Sequence, residues 1–208
     1  TSTLPYNKYD KASALQALIA THRTAFINCP MPKQEERFKT NSHEAQLCAM
    51  VVKNIIELYR TNGIPYDAHQ TIGIISPFRG QGALIRNELS LLDMEEYTQH
   101  ISIDTVERYQ GSQRDIIIYC TTITSPSQME LIVEAIDPTS PIVNQPIDRK
   151  LNVALTRARM QLFVIGIPQV LDTDCNYRAL INELPQYLHP TAEYCNQSSN
   201  NVPKNSGR

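Results

Sequence analysis

Short, continuous apolar runs alternate along this chain with longer segments of helical periodicity. The clearest runs are residues 25–29, 71–76, 116–122 and 161–167, which are rich in isoleucine and other large apolar residues. A strand that is apolar on both faces has to be covered on both faces, and strands that alternate with helices usually lie parallel. We therefore predict a three-layer α/β fold, in which helices cover both faces of a mostly parallel sheet.

Helical segments separate the predicted strands. We predict helices at residues 11–21, 43–62, 80–92, 150–158 and 174–184, a short helix at 128–136, and a further strand that starts at 101–103. The longest helix repeats its apolar residues at a period of about 3.6, which indicates one buried face. Ser42 is its expected N-cap, and Gly63 followed by Pro65 is its expected end.

Composition describes an ordinary globular chain. Its 208 residues are 41% hydrophobic and 19% charged, with a formal net charge of −2. So small a charge gives no global field that attracts nucleic acid, and any such binding has to come from a local patch. We expect an entry segment at residues 1–24, one domain at 25–188, and a disordered, Asn- and Ser-rich tail at 189–208.

The cysteines argue against a metal site and for a reducing compartment. Five cysteines are scattered without a C-x-x-C pair, and five histidines are equally dispersed. This pattern excludes the common zinc motifs, and the odd count without a signal peptide favours the cytoplasm. No apolar run reaches the ~20 residues that a membrane span needs. The chain begins at Thr1 rather than Met, which is compatible with an excised fragment.

Three stretches carry a family resemblance. They are IGIISPFRGQ at residues 72–81, TVERYQGSQRD at 105–115 and LNVALTRAR at 151–159. In this order they resemble motifs IV, V and VI of superfamily 1 helicases, in the branch of the nonsense-mediated-decay RNA helicases. A fainter similarity, Asn41–Glu44–Ala45, opens the helix at 43–62. The resemblance implies the second RecA-like domain of a helicase core, of the P-loop NTPase type. Ligands of open parallel sheets bind at the carboxyl ends of strands, where we expect the motif residues to lie.

Motif VI implies a catalytic role for Arg157. The matching arginine of the family reaches the γ-phosphate of ATP as an arginine finger, and a guanidinium suits the charge that spreads over the phosphoryl oxygens. In isolation, Arg157 would equally fit a solvated arginine near a helix C-terminus. Arg159 fits a structural or surface charge better than a catalytic one.

Motif V implies further contacts to ATP. Gln110 and Gly111 match the family pattern, and a glycine lets the backbone approach a phosphate. Gln110 could join the contacts to ATP and nucleic acid, or it could form a hydrogen bond within the loop. Gln113 departs from that pattern, because the family commonly has a glutamate there to bind the ribose. A glutamine keeps an acceptor and loses the charge. Arg114 and Asp115 match a basic–acidic pair, for which we expect a structural salt bridge.

The resemblance also implies a nucleic-acid surface. Thr105 matches a hydroxyl residue that touches the strand backbone, and Pro77 and Phe78 match the loop after the motif IV strand. Phe78 could stack on a base or pack in the core. Arg79, Arg108 and Arg149–Lys150 could add the local positive charge that the whole chain lacks.

A missing motif limits what the chain can do alone. It contains no G-x-x-x-x-G-K-[ST] sequence to cradle phosphates and hold Mg²⁺. ATP and Mg²⁺ would therefore bind mainly to an N-terminal RecA-like domain, with single-stranded DNA or RNA crossing both domains. Together with the absence of this motif, the resemblance implies that the chain is the C-terminal motor domain of an ATP-dependent helicase. The alternative is a non-catalytic RecA-like module that binds nucleic acid or a partner. The sequence does not distinguish DNA from RNA.

Overall fold

A computed structural model describes residues 3–33, 39–109, 113–133 and 149–188 of the chain. Its strands are β1 (Thr24–Asn28), β2 (Ile72–Ile75), β3 (Ser102–Asp104), β4 (Arg114–Cys120), β5 (Ala158–Gly166) and β6 (Gln186–Leu188). Its helices are α1 (Ala14–Thr21), α2 (Ser42–Asn62), α3 (Arg79–Ser90), α4 (Glu95–Thr98), α5 (Arg149–Thr156), α6 (Pro168–Leu171) and α7 (Cys175–Glu183). A 3₁₀ helix, Pro126–Leu131, follows β4.

The six strands form one parallel sheet in the order β3-β2-β4-β5-β1-β6. Parallel crossovers are right-handed. The connections that run toward the β3 side of the sheet, from β1 to β2 and from β2 to β3, therefore place their helices α2, α3 and α4 on one face. The connections that run toward the β6 side, from β4 to β5 and from β5 to β6, place α5, α6 and α7 on the opposite face. Helix α2 packs against α1 and α3, while α6 packs against α7, as this arrangement requires. The predicted three-layer RecA-like α/β fold is therefore confirmed.

The sheet has two edges that matter for function. The carboxyl edge is where the strands end, at Ile75, Asp104 and Cys120, and the amino edge is where they begin, at Ile72, Ser102 and Arg114. The seven residues of β4 rise about 3.3 Å each, which separates the two edges by about 20 Å.

Most elements agree with the sequence predictions to within a few residues, and the exceptions have local causes. The N-cap of α2 is Asn41 and not Ser42, because Asn41 is extended and its side chain accepts the backbone N–H of Glu44 at 3.1 Å. Gly63 ends α2 in the left-handed conformation, at a φ of 63°, as expected. The helix expected at 128–136 is the shorter 3₁₀ helix, which starts at Pro126. Strand β6 and helices α4 and α6 were not predicted, since three or four residues are too few to show a period.

The N-terminal segment packs into the same core as the sheet. Tyr6, Leu15 and Ile19 are buried, and the Tyr6 hydroxyl donates a 2.7 Å hydrogen bond to the side chain of Gln161 in β5. The Gln161 amide in turn donates to the carbonyl oxygen of Ile19.

Among the described residues, no helix combines the length and apolar character that crossing a membrane would take. The division at 1–24, 25–188 and 189–208 stays a prediction, and its last segment lies outside the described residues.

Candidate functional site

A groove of about 320 Å³ opens at the carboxyl edge, between α3 and the ends of β2 and β3. We call it the arginine groove. It is lined by Ser76, Phe78, Arg79, Gly82, Ala83, Arg86, Ile103, Asp104, Thr105 and Arg108. Phe78 and Thr105, which motif resemblance assigns to nucleic acid, thus lie in one depression although they belong to different loops.

The loop between β2 and α3 forms one wall of the arginine groove. Pro77 lies between two lining residues, Ser76 and Phe78, and Phe78 is the residue from which α3 starts. The Phe78 ring is half-buried, packs against the core and also lines the groove, so packing and exposure to a ligand are compatible. The Lys39 ammonium lies 5.6 Å from the centre of the same ring.

Positive charge dominates the arginine groove. Its lining contains three arginines, Arg79, Arg86 and Arg108, against one carboxylate, Asp104, so the local balance is positive although the chain is not. Arg108 lies 3.7 Å from Asp104, but both side chains are well exposed, at 63% and 39%. An exposed pair this long is weak, which leaves the Arg108 guanidinium able to bind another anion.

Arg86 was not identified from the sequence. It follows Arg79 by two helical turns, so both project from one face of α3, and Ala83 between them keeps that face open. The seven-residue spacing of the two arginines in a predicted helix could have identified Arg86 from the sequence. The side chains of Arg149 and Lys150, which were also expected to add charge, lie outside the part of the chain that the structure describes.

A second group of predicted residues lies at the amino edge. Arg157 joins α5 to β5, and its carbonyl oxygen accepts the backbone N–H of Arg114 at 3.0 Å. Gln113 precedes Arg114, so Gln113 and Arg157 are neighbours at the starts of two adjacent strands. We call them the amino-edge pair. The expectation that the motif residues lie at the carboxyl edge is wrong for Arg157, because a residue that precedes a parallel strand lies where strands begin.

The Arg157 side chain is arranged to accept an anion. It is partly buried, and its Nε–H is shielded from solvent without a hydrogen-bond partner among the described residues. A buried donor of this kind is unfavourable until an acceptor reaches it, and phosphate oxygens match a guanidinium best. The described residues include no group of three or more His, Cys, Asp or Glu side chains placed to hold a metal ion. The Arg157 Nε–H thus fits a phosphate oxygen such as those of ATP.

The charges around motif V pair differently from the prediction. Asp115 is 3.5 Å from Arg159 on the neighbouring strand, which agrees with a surface role for Arg159. The expected Arg114–Asp115 bridge is wrong, because consecutive strand residues point to opposite faces. Arg114 instead lies over the Tyr109 ring, 5.7 Å from its centre.

Residues 105–113 connect the two edges. This β3–β4 connection is shorter than the roughly dozen residues that a parallel crossover usually takes. The buried ring of Tyr109 lies over Gly73 of β2, where a Cβ would collide with the Tyr109 hydroxyl, and its hydroxyl donates to the Ser102 carbonyl at 3.3 Å. Gln110 and Gly111 belong to this connection and lie outside the described residues.

Comparison with known proteins agrees with the observed fold. A family model described as "AAA domain" matches residues 6–169. The chain is 31% identical over 163 residues to Regulator of nonsense transcripts 1 of Dictyostelium discoideum, covering 76% of this chain and 11% of that protein. It is 32% identical over 155 residues to DNA polymerase alpha-associated DNA helicase A of Saccharomyces cerevisiae, covering 72% and 18%. It is 31% identical over 113 residues to Helicase sen1 of Schizosaccharomyces pombe, covering 54% and 6%. The chain thus spans less than a fifth of each of these relatives.

Proposed function

Because the chain belongs to the AAA domain family, as the C-terminal RecA-like domain of a superfamily 1 helicase in the nonsense-mediated-decay branch, we propose that it is the second motor domain of an ATP-dependent helicase. Arg157 completes an ATP site whose remainder lies on another domain. The arginine groove holds single-stranded nucleic acid. The observation that carries this proposal is the presence of Phe78, Thr105 and three arginines in one groove.

The arginine groove suits a single strand read through its backbone. Guanidiniums bind phosphate oxygens in a bidentate way, and the Thr105 hydroxyl adds a further donor. The partly exposed Phe78 ring offers a surface for a base, and every base has a face that can stack. None of these contacts distinguishes one base from another, so the groove binds strands without sequence preference.

The amino-edge pair suits the transition state of ATP hydrolysis. Charge spreads over the γ-phosphoryl oxygens as the bond breaks, and a guanidinium that is already in position stabilises that charge by roughly 10³–10⁵ in rate. The unpartnered Nε–H of Arg157 supports such a role. Gln113 beside it would meet the nucleotide through its amide, and Gln110 and Gly111 would add contacts from the same connection. Mg²⁺ would be held by the N-terminal RecA-like domain.

The two sites explain how hydrolysis would move a strand. They lie about 20 Å apart along β4, and the β3–β4 connection joins them directly. Closing of the two domains on ATP and opening after hydrolysis would shift this domain along the strand, in the 5′→3′ direction that the branch implies. The scattered cysteines favour action in the cytoplasm.

The test is the salt dependence of binding to a fluorescein-labelled oligouridylate, measured by anisotropy on the full-length protein. Arg86→Ala should weaken binding and lower the slope of log K against log[salt] by about 0.7, the value for one lost phosphate contact on a single strand. Arg178→Ala is the matched control, because Arg178 is an exposed arginine on α7 that pairs with Asp172 at 3.0 Å. Equal slopes for wild type and Arg86→Ala would contradict the proposal.

A further inference from the structure

A buried chain of polar groups runs beneath the arginine groove, starting at Glu44 near the beginning of α2. Glu44 is 0% exposed. Its Oε2 accepts the backbone N–H of Thr122 at 2.8 Å, and its Oε1 accepts the hydroxyl of Thr121 at 3.2 Å and the side-chain amide of Asn41 at 3.3 Å. Burial of a carboxylate is strongly unfavourable unless hydrogen-bond donors surround it. The three donors around Glu44 supply this compensation.

Thr122 adopts an unusual backbone conformation at the end of β4. Its φ of 66° is in the left-handed region, which β-branched residues rarely occupy. Such a conformation persists only where surrounding contacts hold it, and it is common at functional sites. Here the contact is the carboxylate of Glu44, which accepts the Thr122 N–H.

The polar chain continues from Thr122 to the wall of the groove. The Thr122 hydroxyl donates to the carbonyl of Cys120 at 3.3 Å, so it accepts from the Ser76 hydroxyl, which is 3.0 Å away. The Ser76 Oγ accepts the backbone N–H of Phe78 at 3.4 Å. Ser76 and Phe78 both line the arginine groove, so a chain of four residues, Glu44, Thr122, Ser76 and Phe78, runs from the buried carboxylate to the surface that faces a ligand.

The α3 end of the β2–α3 loop is also linked to Glu44, through Gln81 and Asn41. The backbone N–H of Asn41 donates to the Gln81 side chain at 2.8 Å, and the Gln81 amide donates to the Asn41 carbonyl at 2.9 Å. Gln81 is buried in the first turn of α3, and Asn41 also contacts Glu44. Glu44 is therefore the common anchor of both ends of the loop that carries Phe78 and Arg79.

We infer that Glu44 is a positioning residue for nucleic-acid binding: it holds Thr122 in its left-handed conformation, and through Ser76 it fixes the β2–α3 loop in the shape that binds a strand. This inference rests on the proposed function of the groove. It predicts that Glu44 controls affinity for nucleic acid without touching the strand.

Glu44→Gln changes the anchor at constant size. A glutamine replaces one carboxylate oxygen with an NH₂ group, which then faces the backbone N–H of Thr122 or the side-chain NH₂ of Asn41. Because two donors cannot bond to each other, one of these groups has to move, and Thr122 is already in an unfavourable conformation. The loop should therefore relax while the rest of the core stays folded.

The experiment compares Glu44→Gln, Ser76→Ala and their double variant in the full-length protein. The readouts are thermal unfolding, the Kd for labelled oligouridylate, and the KM for oligouridylate in stimulated ATP hydrolysis. Tyr6→Phe is the matched control, because it also removes a buried hydrogen bond. That bond is to Gln161, which lies near the amino edge, away from the arginine groove.

We expect Glu44→Gln to raise the Kd and the KM for oligouridylate about tenfold, with a much smaller change in kcat. The double variant should be no weaker than Glu44→Gln, since both changes break one connected chain. Tyr6→Phe should lower the melting temperature and leave the Kd unchanged.

Unchanged affinity in Glu44→Gln, with Arg86→Ala still impaired, would overturn this inference alone. Loss of affinity in Tyr6→Phe in proportion to its melting temperature would overturn it too, because stability would then explain the effect. A wild-type protein that does not bind the oligonucleotide would contradict the proposed function as well. If Glu44→Gln does not fold, Ser76→Ala decides, and a wild-type Kd for that variant would refute the connection.

Discussion

Gly73→Ala should destabilise the domain because Tyr109 occupies the space that a Cβ would need. An added Cβ at Gly73 would collide with the Tyr109 hydroxyl and come within 2.8 Å of Cγ of Arg114. The aromatic ring cannot bend away as a flexible chain would, and it is buried, at 2% exposure. The β3–β4 connection that carries Tyr109 would therefore have to shift over the sheet.

The size of the effect follows from three contributions. Overpacking of a buried site destabilises by about 1–3 kcal/mol. Loss of the 3.3 Å hydrogen bond from Tyr109 to the Ser102 carbonyl adds about 0.5–1.5 kcal/mol. Alanine is better than glycine inside a strand by about 0.5–1 kcal/mol, which offsets part of this. The net loss is about 2 kcal/mol, or about 4–8 °C in melting temperature for a domain of this size.

Thermal unfolding followed by circular dichroism measures this effect, and Gly82→Ala provides a control of opposite sign. Gly82 lies inside α3, and a Cβ there would meet Cγ2 of Ile103 at 3.4 Å, an ordinary contact. Alanine in a helix should then stabilise by up to about 1 kcal/mol. A melting temperature of Gly73→Ala equal to or above that of wild type would refute the described packing of Tyr109.

Three further predictions concern the site and the core. The chain 1–208 alone should not hydrolyse ATP above background, because it carries no P-loop sequence, and robust turnover abolished by Arg157→Ala would contradict this. Gln113→Glu in the full-length protein should sharpen the preference for ATP over dATP by up to about tenfold, since a carboxylate binds a ribose hydroxyl more tightly than an amide does; an unchanged ratio of hydrolysis rates would remove Gln113 from the site. Burial, and then the charge of Asp115, raise the pKa of Tyr59 from 10.0 to about 12. The folded state therefore keeps a proton that the unfolded state releases, so the urea midpoint should fall as pH rises from about 10 to about 12, and a constant midpoint would show that Tyr59 ionises freely.

The sequence predicted the layers of the fold because long elements carry strong patterns. The isoleucine-rich run of β4 and the apolar face of α2 each continue over enough residues to define a strand and a helix. Strand β6 and helix α4 are short and gain stability from neighbours distant in sequence, which no local pattern encodes.

The sequence predicted which residues belong to the candidate sites better than it predicted where those residues lie in the fold. Motif resemblance named Phe78, Thr105 and Arg157, but only the strand order shows that the first two share a groove and the third lies at the other edge. The left-handed Thr122 was not predictable, because a threonine after a strand carries no signal for a positive φ. Its conformation depends on Glu44, which is 78 positions away in sequence.

Arg157 is the residue on which the assignment as a motor domain depends most directly. In the full-length protein, Arg157→Ala should lower kcat for nucleic-acid-stimulated ATP hydrolysis about 10³-fold or more, with a far smaller loss of ATP affinity, because the guanidinium acts mainly on the transition state. Arg159→Ala is the matched control, since Arg159 is 47% exposed and 3.5 Å from Asp115, a surface pair that contributes about 0–1 kcal/mol. We expect near-normal turnover for Arg159→Ala and the large loss for Arg157→Ala. Equal losses in the two variants, or an Arg157→Ala protein whose ATP affinity falls as much as its turnover, would contradict it.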